Sequence, residues 1–240
     1  MNHFKGLTLD LKFLGLPLLR FKSWAWLLGV VVSLSHLSVT QAKPAEIATQ
    51  GTASPAQLLV LGDSLSAAYG MAVEQGWVSL LSQKLQPYAI NVINASISGE
   101  TSSGGKNRLP ALLKQHQPNW VILELGANDA LRGQSLPSIQ NNLASIIEQS
   151  QQVGAKVLLL GIRLPTNYGP AYDQALTHLY QNLADRYQLL FDPFFLAELA
   201  LDPQWVQADG LHPNAQAQPK ILQRLWPHIQ TLIGEARLSR

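Results

Sequence analysis

The chain has 240 residues, 47% of them hydrophobic, and a formal net charge of +2. This length and hydrophobic content suit one well-cored domain and argue against a disordered chain. Lysine and arginine are scattered along the sequence, so it has no basic cluster of the kind that binds nucleic acid. Because the chain contains no cysteine, disulfides, thiolate metal sites and a lipidated-cysteine anchor are excluded.

Residues 1–42 have the layout of a secretory signal peptide. Basic residues precede an apolar run at 24–39, and the small residues Thr40 and Ala42 stand just before Lys43. We therefore predict cleavage after Ala42 and a periplasmic or secreted protein. The alternative is a permanent membrane anchor, but the apolar run is shorter than the ~20 residues that a membrane span needs.

The remainder divides into a short linker, 43–57, and one predicted domain, 58–240. Five apolar runs rich in Val, Ile and Leu predict strands that are buried on both faces, as in a parallel sheet. These runs cover residues 58–61, 91–97, 120–125, 156–162 and 189–191.

Helical patterns lie between the predicted strands. Apolar residues recur at three- and four-residue spacing and form one face in two stretches: Trp77, Leu80, Leu81 and Leu85, and Ile139, Leu143, Ile146 and Ile147. The alternation of strand and helix predicts a three-layer αβα sandwich with a central, mainly five-stranded parallel sheet. Ligands bind such a sheet beyond the carboxyl ends of its strands, so residues that follow each strand are the candidates for function.

A serine follows the first predicted strand in Gly62-Asp63-Ser64-Leu65-Ser66. The turn between strand and helix would point its hydroxyl into the crevice. Taken alone, this serine could equally be a turn former or a helix N-cap. The segment is not the Gly-x-Ser-x-Gly elbow of α/β-hydrolases, because no glycine follows at the second position.

A base for that serine is available near the C-terminus, in Asp209-Gly210-Leu211-His212-Pro213. A serine nucleophile needs an imidazole within hydrogen-bond reach, and the imidazole needs an acceptor on its other nitrogen. The three-residue separation of Asp209 and His212 lets one loop supply both groups. A capping aspartate followed by a surface histidine is the structural alternative.

Two further residues could stabilise an oxyanion. Gly99 follows the second strand, where substrate could approach its backbone N–H, and Asn128 follows the third strand with a side-chain amide that can donate. Each could instead be an ordinary turn residue. Together with Ser64 and His212, however, they lie at the places that a doubly wound sheet brings to one end.

Other chemistries fit less well. Residues 99–106 resemble a phosphate-binding loop, but the spacing is out of register and Asn107 stands where a Ser or Thr should bind magnesium. The histidines are far apart in sequence and form no His-Glu-x-x-His motif, so a metal hydrolase is disfavoured.

The sequence resembles the GDSL (SGNH) hydrolase family. The resemblance rests on four blocks in family order: Gly62-Asp63-Ser64-Leu65, Gly99, Gly126-Ala127-Asn128-Asp129 and Asp209-Gly210-Leu211-His212-Pro213. Longer segments at 94–99, 108–118 and 162–165 are similar to a subgroup of bacterial periplasmic acyl-CoA thioesterases, lysophospholipases and arylesterases. Ala127 departs from that subgroup, which has glycine there.

The resemblance implies a role for each residue. Ser64 would be the nucleophile, His212 the general base and then acid, and Asp209 the carboxylate that orients the imidazole. The N–H groups of Ser64 and Gly99 and the amide of Asn128 would form the oxyanion hole. Apolar residues on two glycine-punctuated loops would contact the acyl chain, unless they simply pack against the sheet: they are Leu131, Leu164, Pro165 and Tyr168.

We therefore expect a hydrolase of acyl thioesters, lysophospholipids and aryl esters. It would need no cofactor or metal ion and would bind no nucleic acid. It would act as a monomer without a stable membrane anchor once the signal peptide is removed. A small-acyl carbohydrate deacetylase of the same family, or an exported lipid-binding protein without turnover, would use the same crevice.

Overall fold

The computed structural model describes residues 55–164, 168–200 and 202–239. The predicted signal peptide and most of the predicted linker lie outside these ranges. Within them, no helix has both the length and the apolar character needed to cross a membrane.

Five strands form a single parallel sheet in the order β2-β1-β3-β4-β5. The strands are β1 (Ala56–Gly62), β2 (Ile90–Asn94), β3 (Trp120–Glu124), β4 (Lys156–Leu160) and β5 (Leu190–Asp192). Each strand overlaps one of the five predicted apolar runs, so the predicted parallel sheet is confirmed.

The ends of two strands differ from the prediction. β1 begins at Ala56, so residues 56 and 57, which were predicted to belong to the linker, are part of the sheet. β2 ends at Asn94 although the apolar run continues to Ile97, because the Asn94 side chain accepts the N–H of Ser96 at 3.1 Å and turns the chain. Ile97 still donates to the carbonyl of Gly62, at 3.1 Å, and so keeps this loop beside β1.

Helices cover both faces of the sheet, as the three-layer prediction requires. They are α1 (Trp77–Leu85), α2 (Ser102–His116), α3 (Ala127–Leu131), α4 (Leu136–Gln152), α5 (Pro170–Tyr187), α6 (Gln218–Ile233) and α7 (Glu235–Leu238). α1 packs beside α6, whereas α4 packs between α2 and α5, which places the two groups in separate layers.

The hydrophobic core lies between these layers and the sheet. Leu58 to Leu61 of β1 are completely buried, as expected for a strand covered on both faces. The apolar faces predicted for α1 and α4 are also buried, apart from Leu80, which is partly exposed. Each fully buried leucine or isoleucine contributes about 1.5–3 kcal/mol to folding, so these faces hold the helices firmly against the sheet.

The strand order determines where a site can form. β1 lies between β2 and β3, so the chain moves outward in one direction from β1 to β2 and in the other from β3 to β5. Connections that leave a parallel sheet in opposite directions open a crevice at the carboxyl ends of the strands. Ser64, Gly99 and Asn128 follow β1, β2 and β3, and so all three belong to this edge.

Candidate active site

Ser64 lies on a tight turn immediately beyond β1. The carbonyl of Asp63 accepts the N–H of Ala67 at 3.0 Å, and the Asp63 carboxylate accepts the N–H of Leu65 at 3.0 Å. A Cβ atom on Gly62 would lie only 2.8 Å from Oε2 of Glu124. Glycine is therefore required for the chain to pass over Glu124 and enter this turn.

The loop that carries Asp209 and His212 is a short hairpin between β5 and α6. Val206 and Pro213 form an antiparallel bridge, and the N–H of Gln207 donates to the carbonyl of His212 at 2.8 Å. Gly210 has a φ of +68°, a left-handed conformation that suits glycine at the tip of such a turn.

The structure brings Ser64, His212 and Asp209 together. Nε2 of His212 lies 2.9 Å from Oγ of Ser64, and Nδ1 lies 2.7 Å from Oδ2 of Asp209. Since a carboxylate only accepts, Nδ1 carries the proton and Nε2 is left free to accept from the serine hydroxyl. This is the geometry that a general base requires toward its nucleophile.

Asp209 is held as an anion. Partial burial raises its pKa, but the N–H groups of His212 and Leu211 and the imidazole of His212 outweigh burial and lower the pKa to about 2. The two N–H groups donate to Oδ1 at 3.0 and 2.9 Å, which leaves Oδ2 for the imidazole. The loop thus supplies both the charge and the orientation of the carboxylate.

The two predicted oxyanion donors also lie at this edge. Gly99 has a φ of +78°, and its carbonyl accepts from the guanidinium of Arg132 at 3.1 Å. Both amide hydrogens of Asn128 are engaged, because Nδ2 lies 3.0 Å from Oδ2 of Asp63 and 3.0 Å from the carbonyl of Glu100. The side chain of Asn128 is therefore fixed, and an oxyanion would have to share one of these hydrogens.

The two aspartates beside the site residues act as acceptors within their loops. Asp63 receives the N–H of Leu65 and the amide of Asn128. Asp129 receives the N–H and the hydroxyl of Ser102, at 2.7 and 2.6 Å, and so ties α3 to the start of α2.

The predicted acyl-binding residues differ in how far they are exposed. Leu164 is only 9% exposed and packs in the core, Leu131 is partly buried, and Tyr168 is 39% exposed. The hydroxyl of Tyr168 donates to the carbonyl of Leu131 at 3.4 Å, which joins the two loops. Pro165 lies outside the described residues. Leu131 and Tyr168 can therefore offer apolar surface to an acyl chain, whereas Leu164 is mostly buried in the core.

Two residues that the sequence analysis did not select contact the site. The ring of Tyr69 lies 4.4 Å from the imidazole of His212, between centroids, and is 47% exposed. Glu124, the last residue of β3, is completely buried behind the Ser64 turn. A charged residue inside an otherwise apolar strand was the signal that could have identified Glu124.

The structure does not support the two alternatives considered from the sequence, a phosphate-binding loop and a metal hydrolase. Gly104 and Gly105 lie within α2 rather than in a phosphate-binding loop, and Lys106 donates to Asn142 at 2.6 Å. In the part of the chain that the structure describes, no three His, Asp or Glu side chains are grouped so that they could hold a metal ion.

Two cavities of about 330 and 500 Å³ lie at the amino ends of the strands, opposite Ser64.

A flavodoxin-like parallel sheet with a Ser–His–Asp hydrogen-bonded chain at its carboxyl edge defines a serine hydrolase arrangement. A model of the GDSL-like lipase/acylhydrolase family matches residues 60–218. The chain belongs to this family.

Named relatives agree with this assignment. The chain is 48% identical to esterase TesA of Pseudomonas aeruginosa over 73% of its length and 89% of that protein. It is also 48% identical to thioesterase 1/protease 1/lysophospholipase L1 of Escherichia coli K12, over 74% of this chain and 85% of the relative. The crystal structure of the psychrotrophic esterase EstA from Pseudoalteromonas sp. superposes with a TM-score of 0.70 at 42% identity, covering 74% of this chain and 98% of that one.

Proposed function

We propose that this protein is a serine hydrolase that cleaves carboxylic ester and thioester bonds through an acyl-enzyme on Ser64. The observation that carries the proposal is the continuous chain of hydrogen bonds from Ser64 Oγ through His212 to Asp209, at 2.9 and 2.7 Å. If Asp209 were only a capping residue and His212 only a surface residue, nothing would require the imidazole to hydrogen-bond to a serine hydroxyl.

The first half-reaction uses His212 as a base. Nε2 accepts the Ser64 proton while Oγ attacks the acyl carbon, and the Asp209 carboxylate stabilises the imidazolium that forms. His212 then returns the proton to the departing alcohol or thiol, and Ser64 keeps the acyl group. A water molecule, activated by the same imidazole, hydrolyses the acyl-enzyme and restores the serine.

The oxyanion formed in each half-reaction needs donors. The N–H groups of Ser64 and Gly99 and the amide of Asn128 serve this role. The left-handed backbone at Gly99 and the two hydrogen bonds that fix Asn128 hold these donors in place before the substrate arrives. Donors that need no reorganisation during the reaction are the ones that accelerate it most.

The substrate class follows from the site and the relatives together. Two similar proteins are named as an esterase and as a thioesterase/lysophospholipase. The exposed Tyr168 ring and the partly buried Leu131 supply apolar surface on the loops after β4 and β3. Acyl thioesters, lysophospholipids and aryl esters combine an apolar chain or ring with the bond that this site attacks.

A direct experiment compares the parent protein with Ser64→Ala on p-nitrophenyl esters and on an acyl-CoA with a thiol reagent. The parent should release p-nitrophenol and CoA, and a fluorophosphonate should add covalently to Ser64. A folded parent protein that binds these ligands but turns over none of them would favour the lipid-binding alternative.

We further propose that the mature protein is exported and acts as a monomer without a membrane anchor. The layout of residues 1–42 supports export, with cleavage after Ala42. Mass spectrometry of the protein recovered outside the cytoplasm should give an N-terminus at Lys43 or within a few residues of it. The uncut chain in the membrane fraction would contradict this. Light scattering of the mature protein tests the oligomeric state.

A further inference from the structure

Two buried carboxyl groups lie directly behind the nucleophile turn. Asp63 and Glu124 are 1% and 0% exposed, and they are adjacent because Gly62 of β1 pairs with Glu124 of β3. Oε2 of Glu124 accepts the N–H of Asp63 at 3.1 Å and the hydroxyl of Ser66 at 2.9 Å. This pair has no part in the proton transfers described above.

Within the ranges that the structure describes, no cation pairs with these two carboxyl groups to balance two negative charges. Among the described residues, no lysine or arginine forms an ion pair with Asp63 or Glu124. β5 provides the contrast, because its final residue Asp192 is equally buried but binds the guanidinium of Arg224 at 2.9 and 3.1 Å. Two adjacent buried carboxylates without a cation cannot both ionise, so the site retains one proton.

The proton belongs to Glu124. Its Oε1 is buried and receives no hydrogen bond, so an ionised Glu124 would leave charge unsolvated, whereas Asp63 receives hydrogen bonds on both oxygens. Burial, and then the charge of Asp63, raise the pKa of Glu124 well above 4.5, and burial raises the pKa of Asp63 to about 6. The other titratable groups close enough to interact electrostatically with the pair are His212 and Tyr180, and Asp129 lies near Tyr180.

The pair is connected to an oxyanion donor. Oε2 of Glu124 holds Asp63 by accepting its backbone N–H at 3.1 Å. Asp63 in turn holds the amide of Asn128 at 3.0 Å. The neutral state of Glu124 also limits the charge near the forming oxyanion to one negative group instead of two.

We propose that Glu124 is a positioning residue that stays protonated, binds Asp63 and, through Asp63, fixes the amide of Asn128 toward the oxyanion. The inference rests on the proposed function of Asn128. It assigns to Glu124 an effect on kcat that is exerted only through that amide.

Infrared difference spectroscopy tests the protonation state without any turnover. At neutral pH the parent protein should show the carbonyl stretch of a buried carboxylic acid, and Glu124→Gln should lose it. Asp192→Asn is the matched control, because Asp192 is a buried acid paired with Arg224, and this variant should keep the band. Identical spectra for the parent and Glu124→Gln would overturn the proposal.

Kinetics test the connection to Asn128. The amide oxygen of a glutamine can still accept the N–H of Asp63 and the hydroxyl of Ser66, so Glu124→Gln should keep kcat within roughly threefold. Glu124→Leu removes these bonds and should lower kcat roughly 10-fold to 100-fold with little change in KM. In an Asn128→Ala background the same substitution should have almost no further effect, whereas a purely structural role would give additive losses.

The role of Glu124 can be tested separately from the proposed function even if one variant does not fold. Should Glu124→Leu not fold, Asp63→Asn replaces it in the same cycle with Asn128→Ala, and independent losses there overturn the proposal. Ser64→Ala should be inactive but keep the infrared band. An inactive parent protein would defeat the proposed function, while the spectra would still decide the state of Glu124.

Discussion

The hydroxyl of Ser64 and the imidazole of His212 lie 2.9 Å apart although 148 positions separate them in the chain. The first strand of the sheet presents the serine, and the hairpin before α6 presents the histidine. The local structure around each residue does not require this contact. Their hydrogen bond is therefore the strongest structural argument for a catalytic function.

Ser64→Ala should leave the protein folded and lower ester turnover by about three orders of magnitude or more, as loss of a triad nucleophile does. Rates on p-nitrophenyl esters and fluorophosphonate labelling measure the effect. Ser66 is the matched control, because its buried hydroxyl donates to Glu124 and does not face substrate. Ser66→Ala should still be labelled at Ser64, and labelling at any other serine would point to a different site.

Asn128→Ala should lower kcat roughly 100-fold to 1000-fold with little change in KM, because an oxyanion donor acts mainly on the transition state. Steady-state kinetics on one ester over a range of concentrations separates the two constants. Asn142→Ala is a suitable control, since that residue binds Lys106 and Ser102 away from the nucleophile. A change confined to KM would contradict the assigned role.

Asp209 should make stability depend on pH in the acid range. Its pKa in the folded protein is about 2, below the ordinary aspartate value of 3.8, so its contribution is complete above pH 4 and is lost as the pH falls toward 2. Urea unfolding from pH 2 to 7 should show the parent protein more stable than Asp209→Asn at neutral pH, with the difference shrinking below pH 4. Ser64→Ala should follow the parent, and a difference that does not change with pH would be inconsistent with this pKa.

Tyr69→Ala should lower kcat/KM roughly 2-fold to 10-fold, the effect expected from loss of one aromatic contact. The ring of Tyr69 packs 4.4 Å from the imidazole of His212 and limits the orientations open to it. Tyr69→Phe retains the ring and should behave as the parent. Equal losses in both variants would assign the effect to the hydroxyl instead.

Acyl-chain preference should reflect the loops after β3 and β4. Each methylene that becomes buried contributes up to ~0.8 kcal/mol to transition-state binding, so kcat/KM should rise along the p-nitrophenyl series from acetate to longer chains. Tyr168→Ala should flatten this rise and leave acetate hydrolysis nearly unchanged. Leu164→Ala is the less informative variant, because Leu164 packs in the core and its loss also destabilises the fold. A strong preference for acetate would favour the small-acyl deacetylase.

The sheet was predictable because β1 and β3 are covered on both faces and therefore read as unbroken apolar runs. The positions of Ser64 and Asn128 then followed from their places after these strands. Glu124 could not be assigned a role in the same way, because its role depends on its contact with Asp63, which follows a different strand, and on the lack of an ion-pair partner for either carboxyl group among the described residues. The role of Tyr69 could not be predicted from the sequence either, since only the folded chain brings its ring against His212.

The separation of Ser64 and His212 in the sequence also ties activity to the order of folding. The first residue of α6, Gln218, accepts the N–H of Trp77 at the start of α1, at 3.0 Å, and this contact joins the last long helix to the first. A nascent chain that has emerged only as far as β5 contains Ser64, the proposed nucleophile, but not yet His212, the proposed base. Bringing together residues so distant in sequence also costs more loop-closure entropy than a local contact does. During refolding, ester turnover should therefore return only when the hairpin that carries His212 has docked against the turn beyond β1.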